Sequence, residues 1–238
     1  MIDIHSHILP AIDDGPDSLK DALHMARLAV RDGTEHIFCT PHHHWSRFGR
    51  SEMLRRVEAL QKDINKYDLK LQLHIGHEVH LFAETWQDLE KNLVHSLGDS
   101  PYILAEPLFH HYGEDTDALL NELFDRGYTP IMAHPERIIP LQGHLQKIEW
   151  FLERGGLTQL TAKSLYPEAD NDVRHTSREM VMNGMPTSSL AICTTPATVP
   201  SLSRARRIAS SWVGEAKAWQ MVRDTPAKIL ERLGQKVS

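Results

Sequence analysis

Asp3-Ile4-His5-Ser6-His7 is the stretch on which the reading of this chain turns. It closes the first strand-like run of the sequence. Alternate residues of a strand point the same way, so His5 and His7 can reach one ion. Outward from this pair, His42, Glu78, Glu106 and His134 each follow an apolar, β-prone run. These runs are Ile37-Phe38-Cys39-Thr40, Leu71-Gln72-Leu73-His74-Ile75, Tyr102-Ile103-Leu104-Ala105 and Pro130-Ile131-Met132-Ala133. Chance would scatter such residues over helices and both ends of the strands. Asp13-Asp14-Gly15 favours a turn on its own composition, and a turn there can carry Asp14 back towards the same place. Neutral imidazoles mixed with carboxylates suit Mn, Fe or Zn, with carboxylates free to bridge two ions. The pattern reads as a multinuclear metallohydrolase.

The remaining sequence repeats one alternation, strand then helix. Ser18 is placed to cap a helix with Leu19, Ala22, Leu23, Ala26, Ala29 and Val30 on one face, ending at Gly33. A second helix is expected after Ser51 and a third from a cap at Asp115 to Gly127. Others are expected over 142–154 and 168–183, then two or three between Ser203 and Leu233, the last opening on Thr225 and Pro226 as cap and first turn. Repeated β-α units imply parallel strands with right-handed crossovers. About seven units fit a closed or nearly closed barrel better than an open sheet, with its active site at the carboxyl ends of the strands. At 238 residues, with no repeat or linker, one domain spanning 1–238 is expected.

Composition narrows the functional classes. No apolar run is long enough to span a membrane, and the chain opens directly on a strand, leaving no room for a secretory signal. A formal charge of −6 argues against a nucleic-acid surface. Two cysteines, Cys39 and Cys193, provide no disulfide framework and suit a reducing cytoplasm. Neither has an arginine six residues on, so thiolate phosphatase chemistry is set aside. Sixteen histidines are the outlier. His43, His44, His110 and His111 read as loop residues near the mouth that touch substrate, and His24, His36, His95 and His144 as peripheral. Metals lower the pKa of water and neutralise charge on the attacked group. Arg137, three residues beyond His134, matches phosphate oxygens bidentately; the alternative is an ordinary surface pair with Glu136.

Met1-Ile2-Asp3-Ile4-His5-Ser6-His7-Ile8, Asp13-Asp14-Gly15-Pro16, Cys39-Thr40-Pro41-His42-His43, Gly76-His77-Glu78-Val79 and Ala133-His134-Pro135-Glu136-Arg137 together carry a resemblance. The chain resembles the bacterial metal-dependent protein-tyrosine phosphatases of capsule and exopolysaccharide operons, in the polymerase-and-histidinol-phosphatase superfamily. Leu97-Gly98-Asp99-Ser100, Arg126-Gly127-Tyr128, Thr161-Ala162 and Ser164-Leu165 extend the likeness over most of the chain. The resemblance implies a distorted (β/α)7 barrel of TIM-like form with up to three metals, usually Mn2+, with Fe, Zn, Co or Mg as substitutes. It implies that His5 and His7 hold one ion and that Glu78 bridges it to a second, completed by Glu106 and His134. Asp14 and His42 bind the third. Arg137 grips the phosphoryl group, and His42 or a water assists the leaving tyrosinate. The implied substrate is phosphotyrosine on a tyrosine autokinase that controls polysaccharide export. A small-molecule phosphatase of the histidinol-phosphate type is the rival enzyme, and a catalytically impaired kinase-binding barrel the rival of another class.

One segment departs from the family pattern. A late Ser-Asp-x-His, whose Asp and His complete the first and third metal shells, is matched by Ser189-Leu190-Ala191-Ile192; a nearby Arg-Pro-Pro is matched by Thr198-Val199-Pro200. Leu and Ile have no electron pair to donate, so two ions each lack a ligand and the phosphate lacks a clamp. Pro186 to Thr195 can be encoded as CCC ACG TCA TCG CTA GCG ATA TGC ACA ACN. Read from the third base, that DNA yields His-Val-Ile-Ala-Ser-Asp-Met-His-Asn, which contains the missing motif. The stretch reads as a local frame slip between Gly184 and Pro200, against the alternative of a diverged and weakened site.

Overall fold

A computed structural model describes residues 1–46, 48–185, 189–191 (backbone only), 201–235 and 237. Among the described residues eight strands, separated by helices except between the third and fourth, run in order: β1 Ile2–Ser6, β2 His36–Cys39, β3 Gln72–Ile75, β4 Glu78–His80, β5 Tyr102–Glu106, β6 Thr129–Ala133, β7 Leu157–Thr161 and β8 Ser189–Ala191. Every ladder is parallel, as the β-α alternation requires. The strands form two sheets, ordered β1-β2-β3 and β4-β5-β6-β7-β8. The expected closed ladder is therefore not seen among the described residues. The chain breaks at Gly76-His77 between β3 and β4, and a single parallel bridge, His42 to Glu78, joins the two sheets there. That bridge lies inside the ligand set: the sheets part where the donor residues are exchanged.

Helix α1, Leu19–Arg31, forms as the sequence pattern requires. The Ser18 hydroxyl accepts from the Asp21 amide and donates to the Asp21 carboxylate at 2.6 Å, satisfying a free amide of the first turn. Its buried stripe, Ala22, Leu23, Met25, Ala26 and Ala29, packs with Met53, Val57, Leu60 and Ile64 of α2, Arg50–Lys66, against the outer side chains Ile37, Cys39, Leu73 and Ile75 of β2 and β3. On the other side of the strands, Ile2, Ile4, Phe38, Leu104, Ile131 and Ala133 meet in a second cluster. Cys39 is wholly buried, and burial pushes its thiol far above the ordinary range, which suits a core residue.

Four expected boundaries move. α4, Glu114–Asp125, is capped from Gly113, and Asp115 stands inside its first turn, where its carboxylate holds His111 at 2.8 Å. A 3₁₀ turn over Ile139–Leu141 delays α5 to Gln146–Glu153, and α6, expected from residue 168, is capped by Asp170 and runs Asn171–Met182. The short α3, Thr85–Glu90, precedes β5. After α7, Leu202–Val213, the chain runs through α8, Glu215–Trp219, and a π-turn, Gln220–Asp224, into α9, Thr225–Leu230. Thr225 already has helical dihedrals (φ −71°, ψ −48°), so it is not a cap; Pro226 is tolerated because the wider π-turn precedes it. Ile229 of α9 reaches the inner cluster.

Candidate metal centre

β1 brings His5 to its carboxyl end, and a register irregularity between Asp3 and Ser6 lets His7, just beyond the strand, turn the same way. Their Nε2 atoms stand 3.2 Å apart. Between them and two further rings lies Glu78, the first residue of β4. Its carboxylate oxygens are 3.2 Å from His5 Nε2, 3.1 Å from His7 Nε2, 3.0 Å from His42 Nδ1 and 2.8 Å from His134 Nε2. Glu106, at the end of β5, lies 3.6 Å from both His42 and His134. Asp14 lies 3.4 Å from His7 and 3.8 Å from His42. All seven candidate ligands, with Arg137, line one pocket of about 260 Å³.

The electrostatics follow from this crowding. Burial works against a charged His5, but the Glu78 carboxylate overcomes it and raises the imidazole above its ordinary value. His7 rises further, because Asp13 and Glu78 grip both ring nitrogens against the same burial. Glu78 is held well below the carboxylate range despite burial, by His5, His134 and His7. A carboxylate ringed by imidazoles is the charge pattern of a cation site.

Among the described residues four sets could hold an ion: His5-Glu78-His134, His7-Asp14-His42, His42-Glu78-Glu106 and His42-His44-His80. The hydrogen-bond account fits such an ion. His42 Nδ1 and His134 Nδ1 are shielded from solvent yet satisfy no hydrogen bond among the described residues. His134 is delivered by strained backbone at the end of β6, with φ 33° and ψ 55°.

Supporting residues escaped the sequence reading. Asp13 accepts from His7 Nδ1 at 2.6 Å, from the His42 amide at 3.0 Å and from the Gly15 amide at 3.1 Å. It therefore fixes the His7 tautomer and ties the β1 and β2 loops together. Gly15 is forced, since a Cβ there would fall 2.2 Å from the His7 carbonyl oxygen. Gln159, from β7, accepts from His5 Nδ1 at 2.7 Å and leaves Nε2 facing Glu78. The buried Asp13 next to an H-x-H was the available signal for the first. Nothing in the sequence marked Gln159.

Other histidines are sorted by burial. His43 is not at the mouth: it is 2% exposed, and its Nδ1 accepts from the His80 amide at 3.2 Å. His110 and His111 are exposed and do not line the pocket. His95, expected at the periphery, is buried and stacks on His77 with ring centroids 4.6 Å apart. His44 does line the pocket, and so does His80, which the sequence reading passed over. Arg137 is exposed over the Phe109 ring at 4.6 Å, while the buried Glu136 carboxylate turns away to accept from the Thr161 amide at 2.9 Å. The surface pair between neighbours is thus ruled out. Ile192 and Thr198 to Pro200 lie outside the described residues, as does Cys193.

Fold and donor set together define a parallel α/β protein with a candidate multinuclear metal centre. The family model for capsular polysaccharide synthesis, CpsB/CapC, matches residues 1–231, and the chain belongs to that family. It is 39% identical over 167 residues to the tyrosine-protein phosphatase YwqE of Bacillus subtilis (strain 168), a stretch covering 69% of this chain and 66% of YwqE. It is 28% identical over 167 residues to the tyrosine-protein phosphatase CpsB of Streptococcus pneumoniae, covering 68% of each. In structure it is similar to a chain from the crystal structures of YwqE and CpsB, described as unique metal-dependent tyrosine phosphatases. That match has a TM-score of 0.89 at 29% identity and covers 99% of this chain and 95% of the other. Among the described residues no helix is long and apolar enough to cross a membrane.

Proposed function

We propose that this chain is a metal-dependent protein-tyrosine phosphatase, acting in the cytoplasm on a phosphotyrosine-bearing protein, a tyrosine autokinase of capsule or exopolysaccharide synthesis. The observation that carries the reading is Glu78, buried and ringed by four imidazoles in a pocket it shares with Arg137, which pairs with no carboxylate among the described residues, in a chain of this family. The strands are proposed to form one domain, arranged as the distorted (β/α)7 barrel of the superfamily.

In this reading His5 and His7 with Glu78 would hold one ion, Glu78, Glu106 and His134 a second, and Asp14 with His42 a third, Mn2+ being the first choice. When bound, the ions lower the pKa of water and neutralise phosphoryl charge. Gln159 and Asp13 keep the His5 and His7 tautomers with Nε2 turned inward. Arg137, free of any carboxylate among the described residues and propped on Phe109, meets the equatorial phosphoryl oxygens as charge grows in the transition state. A tyrosinate leaves with little protonation, so His42 has only to assist. The exposed Trp45 at the pocket's edge offers a face for an aromatic substrate.

The test compares a phosphotyrosyl peptide with histidinol phosphate, each with Mn2+ and with chelator. Metal-dependent release of phosphate from the peptide is expected; preference for histidinol phosphate would move the reading to the rival enzyme. Leu190 and Ile192 favour a second reading, an impaired barrel that binds the kinase without turnover. Sequencing the coding DNA across codons 184 to 200 separates the two. A pair of compensating indels restores the missing ligands, and a clean frame favours the impaired barrel.

A further inference from the structure

His44 and His80 belong to none of the ligand roles assigned above, yet both line the same pocket. His44 follows His42 in the loop after β2, and His80 ends β4. The His44 ring lies 5.3 Å from that of His42 and 4.9 Å from that of His80. One ring nitrogen from each of the three falls within 4.8 Å of the other two. The Nδ1 atoms of His42 and His44 are hidden from solvent and satisfy no hydrogen bond among the described residues. Glu106 Oε2 pairs with His80 Nδ1 and lies 3.6 Å from His42 Nδ1. Trp45 and Phe82 wall the rings at 5.7 Å and 4.7 Å. Ring packing accounts for the stacking. It does not account for two buried imidazole nitrogens left without a hydrogen bond beside the paired His80 and Glu106.

We propose that His42, His44 and His80, with Glu106 as the fourth donor, form a transition-metal site beside the Glu78-centred positions. The inference rests on the metal-dependent reading of the pocket. Three imidazoles and one carboxylate are a borderline-soft donor set. They favour Zn2+ and Co2+ over Mn2+, whereas the Glu78-centred positions are richer in oxygen. The chain would thus carry a mixed complement of ions.

The experiment uses the full chain stripped of metal and titrated with Co2+ and with Zn2+. Bound metal is counted after dialysis, and the visible ligand-field band of Co2+ and the quenching of tryptophan emission beside Trp45 are recorded. His44→Gln with His80→Gln is expected to lose one equivalent and the nitrogen-rich component of the band. Unchanged stoichiometry and an unchanged band overturn the site. Should the double variant melt early, long-range 15N spectra of the unaltered chain decide. Zn2+ must shift the His44 and His80 ring nitrogens, and constant shifts at saturation overturn the site. Phosphotyrosyl-peptide hydrolysis is followed in parallel. Absent turnover by the unaltered chain, with one equivalent lost in the variant, leaves the site standing and removes the phosphatase; normal turnover by the unaltered chain, with the equivalent retained in the variant, removes the site alone.

Discussion

Two groups of histidines occupy the same small sheet and behave in opposite ways. At the amino-terminal side, His36 of β2 and His74 of β3 face each other at 3.1 Å, and His74 lies on the Phe38 ring with centroids 4.8 Å apart. Burial holds both below the ordinary imidazole range, and the neighbouring His36 helps push His74 down to about 4. At the carboxyl ends, His5 and His7 are buried more deeply, yet both are raised, because Glu78 and Asp13 stand against their nitrogens. Crowded imidazoles by themselves report only a dry environment. Carboxylates threaded among them make a place for a cation.

The largest expected test of this contrast is Glu78→Gln. It removes the charge shared by four rings, and phosphotyrosine hydrolysis should fall to background with at least one metal equivalent lost. A full complement of metal in that variant would break the comparison. Arg137→Lys should lower kcat by about 10²–10³-fold while the metal count by elemental analysis stays the same. A matching fall in metal content would show that the guanidinium organises the ligands instead. Asp13→Asn loosens the His7 tautomer from outside the ligand set, and metal affinity measured by competition should weaken about 10–100-fold.

The smallest effect belongs to the dry pair. His74 stays neutral in the folded chain well below its unfolded value near 6.5. The unfolded state therefore binds the extra proton, and the contribution to stability is complete above that value and lost as pH falls towards about 4. With its partial exposure allowed for, the loss is about 2 kcal/mol. His74→Phe should flatten the acid limb of denaturant-derived stability between pH 6.5 and 4, and an unchanged slope would mean that the ring is solvated after all.

Much of the centre was readable because strands impose order on their ends. An apolar β-prone run followed by His or Glu locates a ligand candidate with no knowledge of the rest, and His42, Glu78, Glu106 and His134 all come together as that rule requires. What escaped depends on distant partners. Gln159 supports His5 across 154 positions, and no local pattern records such a contact. His43 was misassigned because a triplet of histidines in a loop gives no hint which ring turns inward. Asp115 looked like a cap because its side chain suits one, but the extended Gly113 two residues earlier already opens the helix. The broken ladder at Gly76-His77 was invisible for another reason: a run of apolar and His residues is compatible with both a continuous and a divided strand.

The left-handed backbone at His134 bears on the history of the chain. A side chain with a Cβ is disfavoured in that region by about 1–2 kcal/mol, and glycine is not. In metal-free protein, His134→Gly should therefore lose less stability than removal of a comparably buried ring from ordinary backbone, since relief of the turn offsets part of the loss of its contacts with Glu78 and Phe109. A lineage released from its chemistry would be free to drift towards a residue easier on the backbone. One that keeps an imidazole in so uncomfortable a turn has accepted fragility for the sake of reactivity, and position 134 becomes a gauge of whether the centre is still in use.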